Sequence, residues 1–189
     1  MAHKEQDNYV NDVKRQFPTF FQNKKVLGIG TFDVCGTEKD YFNDCDYSGL
    51  DLGPGPGVDI VCPAQDYDAP DETYDTIISC ECFEHNPYYK ETIVNAVRLL
   101  KKGGLFLFTC ATTGRPVHGV ASLEEVSKEK FANWKTMPNV FRENWDNEYY
   151  KNLTESDIRE SIDIDEVFSE YKFEVEESHC DLYFWGIKK

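Results

Sequence analysis

The sequence predicts an α/β fold with a doubly wound, mostly parallel sheet of seven strands that ends in an antiparallel hairpin. Apolar runs of strand length alternate with loops and helical patterns over residues 24–110, which is typical of a parallel sheet. Gly28 and Gly30 lie in and just after the first apolar run, where a strand gives way to a turn. Two alternating runs, 171–176 and 182–187, are separated by a turn and predict the hairpin. At this length we expect a single domain over residues 1–189.

Each predicted element has a local reason. Residues 1–22 are polar with apolar positions at helical spacing, and predict a helix that covers either the sheet edge or the cofactor mouth. Loop 53–57, GPGPG, contains too much glycine and proline for a crossover helix. Five strands are predicted before the hairpin, at 26–29, 46–51, 58–62, 76–80 and 105–110. Helices are predicted at 37–42, 88–101 and 154–168, the last with Thr154 as N-cap and Asp157 three residues on.

The connection 111–152 is long and rich in aromatic residues, with a polar helix predicted near 122–133. We expect it to form a lid or an acceptor-binding insertion, because such connections are seldom idle. Its aromatic side chains would either cover the edge of the core or bind the acceptor; they include Trp134, Trp145, Tyr149 and Tyr150.

Composition narrows the classes of partner. The chain has 20 basic and 35 acidic residues and a formal charge of -15, so neither nucleic acid nor an anionic membrane is an expected partner. A neutral or cationic acceptor fits this charge better. The seven cysteines include no C-x-x-C pair, and the sequence shows no charged-then-apolar leader, so we expect reduced thiols and a cytoplasmic protein. The apolar runs are too short to cross a bilayer.

A carboxylate after the second strand indicates a nucleoside cofactor. Asp51 follows the glycine turn by about 20 residues, the spacing at which an acid accepts the two hydroxyls of a ribose. A dinucleotide site would also need a third glycine where this chain has Asp33, whose charge would repel a pyrophosphate. The sequence therefore argues against a nicotinamide dinucleotide.

Four segments together resemble class I S-adenosylmethionine-dependent methyltransferases of the small, type 11 kind: VLGIG, GLDL, PDETYDTIISCECFEH and RLLKKGGLFLFT. The resemblance covers roughly residues 24 to 110 and implies a Rossmann-like fold. This chain departs from the family pattern at Gly28, where the family has an acid, and at Phe32 and Val34, where it has glycines.

The resemblance also implies a set of cofactor contacts. Gly28 and Gly30 would approach the methionine end, and Asp51 would accept the ribose hydroxyls. The remaining contacts would be Leu52 beside the adenine, Ala64 and Gln65 at its edge, and Cys80 on the sulfonium side.

A cluster of acid and imidazole side chains is predicted where the fourth and fifth strands end. Glu81, Glu84 and His85 form E-x-x-E-H after the fourth strand, and His118 follows the fifth. Carboxylates and imidazoles suit a divalent metal ion that would orient an acceptor hydroxyl, and some metal-dependent O-methyltransferases carry a similar E-x-x-E-H with a later histidine. The alternatives are that His85 acts as a general base without metal, or that these residues only line the pocket and cap the next helix. On either catalytic interpretation the candidates are His85, Glu84 and His118.

These observations predict a methyltransferase that acts on a small molecule or a sugar, at oxygen. Two other classes stay open: a non-catalytic S-adenosylmethionine-binding protein and a nicotinamide-dependent oxidoreductase.

Overall fold

The computed structural model describes residues 4–33, 36–120 and 149–189. Its helices are α1 (Lys4–Gln16), α2 (Tyr89–Leu99), α3 (Glu155–Arg159) and α4 (Ile164–Val167). Its strands are β1 (Lys25–Ile29), β2 (Asp46–Asp51), β3 (Ile60–Val61), β4 (Tyr74–Cys80), β5 (Leu100–Ala111), β6 (Phe168–Glu176) and β7 (Asp181–Lys188). Short 3-10 helices span Pro18–Phe21, Glu38–Tyr41, Ala64–Asp66 and Phe83–His85.

The seven strands form one sheet in the order β3-β2-β1-β4-β5-β7-β6. Strands β1 to β5 pair in parallel, while β7 pairs antiparallel with both β5 and β6. The predicted doubly wound, mostly parallel sheet with its terminal hairpin is thus confirmed. Ile29 of β1 pairs with Leu50 of β2 on one side and Ser79 of β4 on the other, so these three strands end together. Parallel sheets bind ligands at this carboxyl edge.

Each face of the sheet carries its own apolar core, because successive side chains of a strand point to opposite faces. Leu27, Phe106 and Phe184 pack on the face that α2, α3 and α4 cover. Val26 and Leu105 pack on the opposite face, under α1.

Helix α1 packs on the second face of the sheet, whereas the sequence predicts a covering helix over the sheet edge or the cofactor mouth. Its buried residues are Gln6, Tyr9, Val10 and Val13, which recur at helical spacing. Tyr183 of β7 stacks on Tyr9 with ring centroids 4.4 Å apart. The helix ends before Pro18, whose ring cannot continue it.

Three predicted boundaries are wrong. Strand β3 is only Ile60–Val61, shorter than the predicted 58–62. The predicted helix 88–101 ends at Leu99, and the chain enters β5 at once; Lys101–Gly104 then bulge out, because Tyr74 pairs with Leu100 whereas Thr76 pairs with Leu105.

The third error is the single helix predicted at 154–168, which is two short helices. Thr154 and Asp157 do form the predicted capping box of α3. The helix breaks before α4 because Asp163 acts as a new N-cap and accepts a hydrogen bond from the Glu166 amide at 3.1 Å.

The predicted insertion 111–152 is described only at its two ends. Residues 121–148, which include the predicted helix 122–133, Trp134 and Trp145, lie outside the described residues, as do 1–3 and 34–35. Within the described ranges, no helix is both long and apolar enough to cross a membrane.

Candidate functional site

Two loops meet at the carboxyl ends of β1 and β2, where the topology of the sheet places the expected cofactor cleft. The loop after β1 begins at Gly30, whose φ of 77° is readily adopted by glycine. It packs against loop 53–57, because the Asp33 amide donates to the Pro56 carbonyl at 2.9 Å and the Thr31 hydroxyl to the Gly57 carbonyl at 2.9 Å. The predicted tight GPGPG connection therefore forms one wall of the cleft.

Asp51 lies in this cleft at the end of β2. One carboxylate oxygen accepts from the Phe32 amide at 2.8 Å and the other from the Leu52 amide at 2.7 Å. Burial raises the pKa of Asp51, and these two amides offset part of the effect. A carboxylate oxygen has two lone pairs, so each can accept one more hydrogen bond, as the two hydroxyls of a ribose require.

The two motif glycines are required by contacts within the chain itself. A Cβ on Gly28 would lie 2.1 Å from the Tyr47 hydroxyl oxygen, and one on Gly30 would lie 2.5 Å from Cys82 Sγ. Tyr47 thus fills the space beside Gly28, a contact that the predicted close approach to a cofactor did not include.

The predicted adenine contacts flank the far side of the cleft. Ala64 and Gln65 form the 3-10 helix after β3, and Asn95 of α2 fixes it by donating to the Ala64 carbonyl at 2.8 Å. Gln65 Oε1 is buried and has no hydrogen-bond partner among the described residues. Leu52 is half-buried beside Asp51.

Cys80 ends β4 and is buried in the core under α1. Burial raises the pKa of its thiol, so the group is neutral at physiological pH and packs as a small apolar side chain.

Three of the four predicted metal ligands come together beyond the end of β4. Glu84, His85 and His118 each offer a ligand atom, and these atoms all lie within 4.8 Å of one another. The ring centroids of the two histidines are 5.1 Å apart and their planes nearly perpendicular. We refer to these three residues as the Glu–His–His cluster.

Glu84 is the most buried member, with no exposed surface. Neither of its carboxylate oxygens has a hydrogen-bond partner among the described residues. Burial raises the pKa of Glu84 strongly, the charge of Glu81 adds to the effect, and nearby amides offset only part of it.

The two histidines of the cluster are neutral. Burial lowers the pKa of His85 to about 3, with His118 adding to the effect, and burial also lowers the pKa of His118. Nδ1 of His118 lies 3.0 Å from the Pro116 carbonyl oxygen, which can only accept, so Nδ1 carries the proton and Nε2 offers its lone pair.

Tyr150 completes an aromatic triangle with the histidines. Its ring centroid lies 5.3 Å from that of His85 and 5.1 Å from that of His118. The hydroxyl is buried and makes no hydrogen bond within the described ranges. The sequence marked Tyr150 only as one aromatic residue of the insertion, because no local pattern ties it to the histidines.

Glu81, the fourth predicted ligand, is held apart from the cluster by other partners. It accepts a hydrogen bond from the Thr109 hydroxyl at 3.1 Å, and Thr109 in turn accepts from Gln6 Nε2 of α1 at 2.7 Å. Arg115 Nη2 lies 3.9 Å from Glu81 Oε2, and Arg115 Nη1 lies 3.2 Å from Asp181 Oδ1. The backbone at Glu81 is left-handed, with φ of 53°.

Comparison with known proteins agrees with this architecture. A family model described as a methyltransferase domain matches residues 1–183. A search of curated protein sequences finds no match.

Solved structures with the same fold share little sequence with this chain. One is a 1,6-didemethyltoxoflavin-N1-methyltransferase from Burkholderia thailandensis with S-adenosylhomocysteine bound, at 13% identity and a TM-score of 0.57 over 100% of this chain and 92% of that one. Another is a SAM-dependent methyltransferase from Archaeoglobus fulgidus, at 14% identity and a TM-score of 0.59 over 97% of this chain and 94% of that one. A phosphoethanolamine N-methyltransferase from Haemonchus contortus matches at 16% identity and a TM-score of 0.59, over 96% of this chain and 52% of that one.

The matched model spans nearly the whole chain, and the strand order is that of the predicted class I methyltransferase sheet. The chain belongs to the methyltransferase domain family.

Proposed function

We propose that the chain transfers a methyl group from S-adenosylmethionine to a hydroxyl of a neutral small-molecule or sugar acceptor, and that the Glu–His–His cluster holds a divalent ion beside that hydroxyl. The observation that carries the proposal is the convergence of Glu84, His85 and His118 within 4.8 Å, at the same edge of the sheet as Asp51.

The residues of the cleft fit an adenosyl cofactor. Both oxygens of Asp51 keep a lone pair for the ribose hydroxyls. Gln65 Oε1 is a buried acceptor with no hydrogen-bond donor among the described residues, and the amino group of an adenine would supply that donor. Leu52 and Ala64 would then lie beside the adenine ring. Cys80 would then lie below the sulfonium side. The structure of the Burkholderia methyltransferase contains bound S-adenosylhomocysteine, which supports this choice of cofactor.

The Glu–His–His cluster fits a divalent ion by its chemistry. Glu84 offers two buried carboxyl oxygens, the histidines offer neutral imidazole nitrogens, and a bound cation would favour the ionised form of Glu84. The Pro116 carbonyl fixes the tautomer of His118, as outer-shell acceptors do for metal-bound histidines. When bound, a divalent ion would lower the pKa of an acceptor hydroxyl.

Methyl transfer is an in-line displacement, so the chain must hold the acceptor oxygen behind the methyl carbon. His85, His118 and Tyr150 form an aromatic wall that can orient a flat or cyclic acceptor. Glu81 and Asp181 are two acidic side chains at this edge of the sheet, and the chain carries a formal charge of -15, so an anionic acceptor is disfavoured.

A metal-free mechanism with His85 as general base fits less well. A base works best when its pKa lies near the working pH, and burial lowers the pKa of His85 to about 3. A non-catalytic cofactor-binding protein would have no use for a buried cluster of ligand-type groups beside the cleft, and a nicotinamide enzyme would not be expected to match a methyltransferase model.

The proposal is tested by methyl transfer from isotope-labelled S-adenosylmethionine to a panel of neutral hydroxyl compounds, sugars and amines, with product mapping by mass spectrometry. We expect methylated oxygen, loss of activity in chelator and its recovery with added Mg²⁺ or Mn²⁺. Glu84→Gln should abolish saturable Mn²⁺ binding, whereas Glu91→Gln, at an exposed position of α2, should leave it intact.

Each part can fail separately. Full turnover in chelator, together with Mn²⁺ binding unchanged by Glu84→Gln, would exclude the metal. Methylated nitrogen would exclude the hydroxyl acceptor. Absence of binding to both S-adenosylmethionine and S-adenosylhomocysteine would overturn the cofactor itself.

A further inference from the structure

A second carboxylate is buried near the cofactor cleft. Glu38 begins the 3-10 helix Glu38–Tyr41, and its side chain is only 3% exposed. None of the described side chains donates a hydrogen bond to it or forms an ion pair with it. Burying a carboxylate is costly, so its retention at this position needs a reason.

The surroundings of Glu38 place it between the two ends of the cleft. Asp51 and Asp33 act on it as neighbouring negative charges, and its own charge acts on Cys80 at the end of β4. Since β1 separates β2 from β4 in the sheet, Glu38 lies near the strip between the ribose acceptor Asp51 and the end of β4. The part of the cofactor that extends away from the ribose must occupy this strip.

The acid expected on β1 itself is missing. At that position the chain has Gly28, and a Cβ there would lie 2.1 Å from the Tyr47 hydroxyl oxygen. No longer side chain fits while Tyr47 holds this place. A carboxylate for this part of the cleft must therefore come from another element.

We propose that Glu38 binds the α-ammonium group of the methionine portion of S-adenosylmethionine, in place of an acid on β1. This inference rests on the proposed function, because it takes the adenosyl cofactor as given. The ammonium offers a counter-charge that none of the described side chains provides, and pairing with it offsets the cost of burial. Glu38 is then a cofactor-binding residue that selects for the amino-acid end.

Calorimetry with three ligands separates this role from a structural one. S-adenosylmethionine and S-adenosylhomocysteine carry the ammonium, whereas methylthioadenosine has the same nucleoside and no amino-acid end. We expect Glu38→Gln to lower the affinity for S-adenosylmethionine and S-adenosylhomocysteine by at least about tenfold, the usual effect of losing a charged hydrogen bond. The affinity for methylthioadenosine should stay unchanged. Asp51→Asn should lower the affinity for all three ligands. Asp40→Asn, at an exposed position of the same 3-10 helix, should lower the affinity for none of them.

Other outcomes would overturn the assignment. If Glu38→Gln weakens all three ligands equally, the residue only shapes the cleft. If it weakens S-adenosylmethionine alone, the carboxylate faces the sulfonium instead. If it weakens none, Glu38 does not contact the cofactor. Glu38→Asp keeps the charge on a shorter side chain and should lose less affinity for the two ammonium ligands than Glu38→Gln. Failure of the wild-type chain to bind any of the three would instead refute the proposed function.

Discussion

Gly119 lies directly against the imidazole ring of His85. A Cβ on this glycine would come within 2.7 Å of His85 Cε1, and its φ of 65° lies in the left-handed region. The loop after β5 is therefore shaped to the ring that the end of β4 supplies. This contact brings the residue next to His118 against the ring of His85, so the two halves of the Glu–His–His cluster pack together here.

Gly119→Ala should displace His85 and lower methyl transfer by at least about tenfold, because misplaced catalytic groups lose alignment with the acceptor. Cofactor affinity should stay unchanged, since Asp51 lies on another strand. Steady-state kinetics and calorimetry with S-adenosylhomocysteine check both parts.

Gly103→Ala is the matched control. Gly103 has a similar φ of 71°, and an added Cβ there would meet nothing within 4 Å. The control variant therefore has the same backbone strain, about 1–2 kcal/mol, without the contact to His85. Equal losses of activity in the two variants would show that strain alone, and not the position of His85, is responsible.

Asp51→Asn should weaken S-adenosylhomocysteine binding by about tenfold or more, because an amide nitrogen cannot accept a hydrogen bond from a ribose hydroxyl and charged hydrogen bonds contribute about 1.5–3 kcal/mol. Asp46→Asn is the control, since Asp46 is exposed at the opposite end of the same strand. Unchanged affinity in Asp51→Asn would remove the ribose contact from the proposal.

The sheet and part of the cluster follow from local patterns in the sequence. Parallel strands share one carboxyl edge, so Asp51, Glu84 and His118 are brought to that edge by their positions just after strands. The order of the motifs along the chain is enough to predict this. The roles of these residues in binding and catalysis stay predictions.

Other features depend on contacts that no local pattern reveals. Tyr47 lies far from Gly28 in the sequence but fills the space beside it. Glu38 is followed by the exposed Lys39 and Asp40, so its burial has no signal in the pattern of polar residues. Glu81 stays outside the cluster with Thr109 and Arg115 as partners, which lie far from it in the sequence.

Thr109→Val should destabilise the fold by about 1–3 kcal/mol, because it leaves the buried amide of Gln6 and the carboxylate of Glu81 without their shared hydroxyl. Denaturant unfolding measures the loss. Thr113→Val, at an exposed position just after β5, should change stability little. Equal stability of the two variants would mean that the chain of hydrogen bonds from α1 to Glu81 contributes nothing to folding.

Glu38→Gln should make the cofactor-free protein more stable at neutral pH. Burial, with Asp51 and Asp33 adding to it, raises the pKa of Glu38 from an ordinary 4.5 to about 7, and its own amide offsets only part of this. Between these values the folded state keeps a proton that the unfolded state has lost, so the stability of the wild type falls as pH rises. The loss is complete above the folded pKa and amounts to about 3 kcal/mol.

A glutamine cannot ionise, so the advantage of Glu38→Gln over the wild type should be small at the acid end of this window and should grow through it. Taking the difference between the two proteins cancels the similar slope that the buried Glu84 contributes to both. Unfolding in denaturant across the window measures that difference, with Asp40→Asn as the exposed control. Saturating S-adenosylmethionine should shrink the advantage, because the ligand's ammonium would stabilise the ionised carboxylate only in the wild type. A difference that does not vary with pH would mean that Glu38 is not a buried, raised-pKa acid and would remove the energetic reason for its pairing with the cofactor.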